Sequence, residues 1–292
     1  MLFRSVLING LASDVYLVAN PGAAAGETLG NLALNVPASD IIDRLVEFAS
    51  PTGRAEGQTL FAELLSIPTA AEVETALTQL APDVSGGASQ GASAAQGGAS
   101  ATVGARAEGV QTALLTGETG VAAGDDLLQA PIGVWGQAYG FNALQDARRG
   151  VQGFSALGGG FAAGVDTKVA DNVVAGAALS YGRTRVDGRG TLSNNRTDVD
   201  SYQASFYGVY QGEPWYVQSQ VGYAFQQFDA RRSVNVGALS ERPVADFDGQ
   251  VFSGGVSAGY PLNIGDIRFT PSVSLDYVHA QQDGYKIGRA HV

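Results

Sequence analysis

Over much of residues 131–277, apolar side chains recur at every second position, and the residues between them are polar with little charge. Residues 267–277 show it most clearly. Ile267, Phe269, Pro271, Val273, Leu275 and Tyr277 share one parity; Arg268, Thr270, Ser272, Ser274 and Asp276 share the other. A period of two belongs to the β-strand, whose successive side chains leave opposite faces. Residues 215–226 set Trp215, Val217, Val221, Tyr223 and Phe225 against Gln218, Gln220 and Gln226. Tyr202, Ala204, Phe206, Gly208 and Tyr210 alternate with Ser201, Gln203 and Ser205. Phe252, Val256, Ala258, Tyr260 and Leu262 alternate with Ser253, Gly255, Ser257 and Gly259. Weaker alternation over 132–141, 158–166 and 173–182 brings the expectation to seven strands.

The polar face narrows the choice of fold. A soluble β-sandwich turns Lys and Glu outward, whereas Gln, Ser, Gly and Thr dominate here, as in a water-filled lumen. Charged residues make up only 15% of the chain; ordinary domains carry about a quarter. The middle of the apolar faces is free of Asp, Glu, Lys and Arg, as a lipid-facing surface requires, since Lys or Arg at mid-membrane costs roughly 2–4 kcal/mol. An apolar content of 45% with 40 Gly separates the chain from an acidic disordered one. The net charge of −11 argues against a nucleic-acid partner. The absence of Cys excludes disulfides, thiol catalysis and Cys-ligated metals. No apolar run is long enough for a membrane-spanning helix, but strands that alternate never raise a hydropathy window.

The connections alternate too. Short polar turns are expected at 167–172, 212–213 and 263–266, and long polar loops at 142–157, 183–199 and 229–248. Short on one side and long on the other is the layout of an outer-membrane barrel, which puts Pro131 on the periplasmic side. Aromatics gather toward strand ends, with Tyr210, Trp215 and Tyr260 at one level and Tyr202, Phe225 and Tyr277 at the other. Such girdles mark the two membrane interfaces. The expected lipid-facing and girdle aromatics are therefore Tyr202, Phe206, Tyr210, Trp215, Tyr223, Phe225, Phe252, Tyr260, Phe269 and Tyr277. The expected lumen-facing residues are Gln218, Gln220, Gln226, Arg268 and Asp276.

Ahead of this region the period changes. Residues 6–20 read as one or two short strands with Val15, Leu17 and Ala19 on one face. Ser39 caps a helical pattern over 40–49, and a second helix is expected over about 56–66. Thr69-Ala70-Ala71-Glu72 is a capping box ahead of Val73, Ala76, Leu77 and Leu80. Residues 85–115, rich in Ala, Gly, Ser and Gln, admit two readings: a flexible linker, or a thin helix fit for a narrow channel.

The termini carry a separate signal. Met1-Leu2-Phe3-Arg4-Ser5 is the translation of a common short-read sequencing adapter read from a GTG start, and Ile287 to Val292 is the translation of its reverse complement up to a stop. Residues 1–5 and 286–292 are thus expected to be adapter translations, with native sequence from Val6 to about Tyr285. Residues 1–25 do not make a signal peptide, because Asn9, Ser13 and Asp14 interrupt the apolar stretch. A fragment need not carry one.

Four segments resemble a known family. "LFAELLSIPTAAEVETALTQLAPDV" at 60–84 resembles the segment joining passenger to translocator in type Va autotransporters. "PIGVWGQAYG" at 131–140 is similar to the family's first barrel strand, and "GFSALGGGFAAGVDTKVADNVVAGAALSYG" at 153–182 to its second and third. "DGY" at 283–285 sits where the family commonly continues with Thr and Glu. The resemblance implies a mainly β fold. It is an incomplete antiparallel outer-membrane barrel, about seven of twelve strands, over 131–285. A helical junction and lumenal helix would occupy 36–130, and 6–35 would be the end of a passenger β-helix. It implies a translocator that exports and anchors its own passenger at the surface of a Gram-negative bacterium. Its partners would be outer-membrane lipid, lipopolysaccharide, the barrel-assembly machinery and the passenger segment in the lumen. No catalytic residue, cofactor or metal is implied, and the region is expected not to be an enzyme.

Rival sites carry less. Gly158-Gly159-Gly160-Phe161-Ala162-Ala163 fits G-x-G-x-x-A, but a nucleotide fingerprint needs a strand before it and a helix after it. Asp198 with Asp200, or Asp246 with Asp248, offers carboxylates for calcium, although alternating acids at a loop border are usually solvated. His279 alone builds no triad or metal cluster. Arg148-Arg149 and Arg231-Arg232 fall in expected outer loops, within reach of lipopolysaccharide. Some relatives cleave themselves at an Asn-Asn pair in the lumenal helix; Asn194-Asn195 lies instead in an expected loop. The competing architectures are a barrel adhesin or structural protein without a secreted passenger and a soluble β-sandwich binding domain.

Overall fold

Seven strands form a single antiparallel sheet in the computed structural model, in the spatial order Ser272–Gln282, Val244–Gly259, Tyr216–Arg231, Arg196–Gln211, Val173–Gly188, Phe154–Ala170 and Gly133–Gln145. The structure describes residues 4–6, 15–17, 55–80, 86–116, 132–148, 151–264 and 267–283. The expected helix over 40–49 lies outside them. In chain order the elements are β1 (Arg4–Val6), β2 (Val15–Leu17), α1 (Ala55–Ser66), α2 (Ala70–Leu80) and α3 (Gly87–Thr116). Then come β3 (Gly133–Gln145), β4 (Phe154–Ala170), β5 (Val173–Gly188), β6 (Arg196–Gln211) and β7 (Tyr216–Arg231). A small hairpin, β8 (Val234–Val236) and β9 (Leu239–Glu241), precedes β10 (Val244–Gly259). A second, β11 (Leu262–Ile264) and β12 (Ile267–Phe269), precedes β13 (Ser272–Gln282). β1 and β2 pair only with each other.

The strands are long. β4 has 17 residues and β5, β6, β7 and β10 have 16 each. Soluble sheets favour about 5–6 residues per strand, and a tilted strand crosses a bilayer in about 9–11. The excess lies at the end where β5–β6 and β7–β10 are connected. The segments 183–199 and 229–248, expected as loops, are largely paired strand, and 142–157, also expected as a loop, is paired strand at both of its ends. Their residues are polar but β-compatible, and the neighbouring strands offer backbone partners that sequence periodicity does not reveal. Tyr202, Phe225 and Tyr277 accordingly stand inside their strands, not at strand ends.

The expected continuous strand over 267–277 breaks at Thr270-Pro271. Residues before the break belong to the β11–β12 hairpin and those after it to the main sheet. Proline has no N–H for a ladder. Its carbonyl is used instead, accepting a bond from the Tyr260 N–H at 3.0 Å.

α1 and α2 pack at the outer, long-stranded end. Thr69 caps α2: its Oγ1 accepts a 3.4 Å bond from the Glu72 N–H and donates to Glu72 Oε2 at 2.7 Å. Leu64 and Val73 are fully buried, along with Val236 of the β8–β9 hairpin. The hairpin N–H of Ala238 donates to Glu63 Oε2 at 2.9 Å, and that of Asn235 to Gln79 Oε1 at 2.7 Å. Gly237 turns the hairpin with φ 56°, where a Cβ would also strike Glu63. Among the described residues no helix is long and apolar enough to cross a membrane.

Candidate functional site

The sheet has one covered face and one bare face. α3 lies along the covered face and contacts β3, β4, β5, β6 and β7. Its buried residues Ala92, Ala95, Gln96, Ala99, Val103, Arg106, Ala107 and Val110 recur at three- and four-residue steps, which is one helical stripe. The stripe is made of small residues, so the helix axis approaches the sheet closely. Gly91 is the extreme case, since a Cβ there would lie 2.5 Å from Val186, and at Gly98 it would lie 2.8 Å from the Tyr139 ring. Of the two readings left open for residues 85–115, the helix is the one found. Isolated, such a Gly-rich helix is marginal in water; packing against the sheet supplies what propensity lacks.

Apolar contact is concentrated toward the inner end, where Val103, Ala107 and Val110 meet Trp135, Ala162, Val174, Tyr207 and Val209. Within this cluster sits a polar relay. Arg106 Nε donates to Asp166 Oδ2 at 2.8 Å and Nη2 to Oδ1 at 3.2 Å, a bidentate pair. The Tyr207 hydroxyl donates to Asp166 Oδ2. Trp135 Nε1 in turn donates to Tyr207 Oη at 2.8 Å. The two charged side chains are 6% and 0% exposed, so the pair forms out of contact with water.

Further polar contacts bind the rest of the helix. Gln226 Nε2 donates to the Ala92 carbonyl at 3.0 Å, and Gln111 Nε2 to Gln211 Oε1 at 3.0 Å. Gln226 is therefore buried under the helix. Gln218, Gln220 and Asp276 instead line a cleft of about 540 Å³ beside it, with Glu108, Gln111 and Thr112 of α3 on the other wall. The side chain of Arg268 lies outside the described set.

The bare face carries Tyr202, Phe206, Tyr210, Trp215, Tyr223, Phe252, Tyr260, Phe269 and Tyr277, from 36% exposed at Tyr210 to 64% at Phe206. Phe225 is half-buried among them. The Tyr210 and Trp215 rings pack at 5.0 Å, tilted by 41°, at the inner end. From Tyr202 to Tyr210 on β6 the apolar band runs about 26 Å along the strand, which at the usual barrel tilt of about 35–45° is roughly 20 Å of height, against about 25 Å for the apolar band of a transmembrane barrel. Beyond it, toward the outer end, the same face turns charged: Arg185 pairs with Asp198 at 3.3 Å, and the Tyr181 hydroxyl donates to Asp200 at 2.6 Å.

The remaining expected sites fall apart in space. Gly158 to Ala163 lie within β4. Asn195 follows the 3₁₀ turn Gly190–Leu192 at the outer end, where its Oδ1 accepts from the Ser233 N–H at 2.9 Å, and it has no part in α3. Sequence reading missed Arg106, Asp166 and Tyr207 as a group. The one available signal was an Arg amid Ala, Gly and Ser; its partner is distant in sequence.

The autotransporter β-domain family model matches residues 134–288. Outer membrane protein B of Rickettsia japonica is 27% identical over 179 residues, covering 57% of this chain and 10% of that protein. Its counterpart in Rickettsia typhi is 28% identical over 182 residues, or 58% and 11%. An extracellular serine protease of Serratia marcescens is 28% identical over 182 residues, or 61% and 16%. The chain thus spans about a tenth of the length of the first of these relatives. The solved translocator domain of the autotransporter NalP from Neisseria meningitidis shares the fold, with a TM-score of 0.50 at 18% identity over 68% of this chain and 63% of that one. With more than half of its length matched to the family model, the chain belongs to the autotransporter β-domain family.

Proposed function

We propose that this β-domain exports an N-terminal passenger across the outer membrane of a Gram-negative bacterium and then anchors it at the cell surface. The observation that carries the reading is α3. It begins at the outer end, where Gly87 abuts Val186 and Phe154, and it ends at the inner end, where Gln111 reaches Gln211. It is held on the way by the buried Arg106–Asp166 pair. A chain emerging at the outer end ahead of Gly87 is thereby tethered to the sheet.

The bare face meets lipid, with its aromatics at and between the two interfaces, and the face under α3 is the lumen. β3 and β13 are not paired with each other, so closure takes additional strands, about five by the family's pattern. In this reading residues 131–285 are barrel, 36–130 junction and lumenal helix, and 6–35 the end of the passenger. Lipopolysaccharide and the assembly machinery are the partners outside the lumen. The chemistry assigned to this region is passage and binding, without bond making.

The test is a reporter fused ahead of α1 in the complete gene. Exposure of the reporter to protease on intact cells is expected, with its loss on deletion of 87–116. A reporter that stays periplasmic while the barrel sits in the outer membrane would overturn the reading.

A further inference from the structure

We propose that the outer rim of β6 and β7 is a binding site for a phosphorylated sugar, supplied by the lipopolysaccharide surrounding the barrel. The proposal rests on the lipid-facing placement of the bare face. Arg196 on β6 stands directly opposite Arg231 on β7. Like charges so placed repel across a ladder. Arg196 has Asp187 at 2.7 Å. Arg231 faces Val244 on its other side. Its acidic neighbour along the strand, Asp229, is shared between the charge of Arg231 and Asp246, which it faces across the ladder.

Arg232, whose Nη2 also donates to the Gln79 carbonyl at 2.8 Å, and Arg242 line the same cleft of about 530 Å³, together with Asn194. Four guanidinium groups therefore share a cleft with one carboxylate, in a chain whose net charge is −11. Guanidinium forks match phosphoryl oxygens two at a time, and the cleft is of the size that holds a small ligand.

Its position selects the source. Arg196 and Arg231 lie on the face of Tyr202 and Phe225, roughly 20 Å further out along the strands. With the usual barrel tilt of about 35–45°, that is on the order of 15 Å above the outer aromatic level. The matter beside the barrel at that height is the saccharide layer of the outer leaflet, whose phosphoryl groups are fixed at the surface. Free phosphate shares the charge but not the location.

The test uses the full chain in detergent micelles and in vesicles containing lipopolysaccharide. Affinity is measured for phosphorylated lipopolysaccharide, for the same material dephosphorylated, and for inorganic phosphate. We expect dephosphorylation to weaken binding at least tenfold. Arg231→Gln with Arg242→Gln should reproduce that loss and abolish the difference between the two lipopolysaccharides. Arg231→Lys should retain part of the affinity. Unchanged affinity in the double variant, or equal binding of dephosphorylated material, overturns the site. Inorganic phosphate binding as tightly as lipopolysaccharide overturns the headgroup assignment. Quenching of Trp215 by brominated lipid is read in parallel. Its absence, with phosphate dependence intact, would instead remove the lipid-facing placement and leave a soluble-anion site.

Discussion

Arg106 of α3 and Asp166 of β4 form a bidentate ion pair, at 2.8 and 3.2 Å, that is closed off from solvent. The pair joins two elements 60 residues apart in sequence. Tyr207 and Trp135 extend the contact across the sheet, so four elements converge on one carboxylate.

Breaking this pair from one side leaves a buried charge without a partner, which costs about 3–5 kcal/mol. Asp166→Asn should lower the denaturation midpoint of the membrane-embedded domain strongly. The paired replacement Arg106→Met with Asp166→Leu should recover most of the loss. Urea unfolding followed by gel mobility checks both.

Glycines in and around α3 divide by what a methyl group would meet. At Gly104 a Cβ finds nothing within 4 Å, so Gly104→Ala should stabilise by up to about 1 kcal/mol through helix propensity. At Gly160 a Cβ would collide with the Tyr181 carbonyl, which is backbone and cannot swing away. Gly160→Ala should destabilise by about 1–3 kcal/mol. Thermal unfolding of the two variants should move in opposite directions.

The two sheet faces predict opposite tolerance of charge. Phe206→Arg, in the middle of the exposed apolar band, should cost about 2–4 kcal/mol and reduce assembly into the outer membrane. Gln218→Arg, in the cleft beside α3, should assemble normally. Membrane fractionation with heat-modifiability on gels distinguishes them. Equal loss in both would refute the assignment of the faces.

Asp229 and Asp246 face each other across β7 and β10 at the outer end, beyond the apolar band. Partial burial, the hydrogen bond with Asp246 and the charge of Asp246 raise the Asp229 carboxyl above its ordinary value of 3.8. The folded state thus holds the proton more tightly than the unfolded chain. This contribution is present at acid pH and is lost as pH rises through the elevated value. Stability of the outer end should therefore fall with pH above about 4. Asp246→Asn should flatten that fall, as read by amide exchange in β7 and β10 across pH.

Much of the sheet is written in the chain. The parity of Tyr202, Ala204 and Phe206 against Ser201, Gln203 and Ser205 determines the strand and its two faces, because the side-chain period of a strand is two wherever it sits. The Thr69–Glu72 box likewise specifies a helix start from local contacts alone. What tertiary structure decided is where local signals are silent. Residues 87–116 are small and Gly-rich, so helix and coil are nearly balanced in isolation. The sheet tipped the balance by covering Ala92, Val103 and Val110. The polar ends of β5 and β6 are strand because their backbones pair with each other as far as Asp187 and Arg196, a partnership that local periodicity does not reveal. The partner of Arg106 could not be read from its neighbours, because a buried charge is satisfied by whatever the fold brings to it, here Asp166.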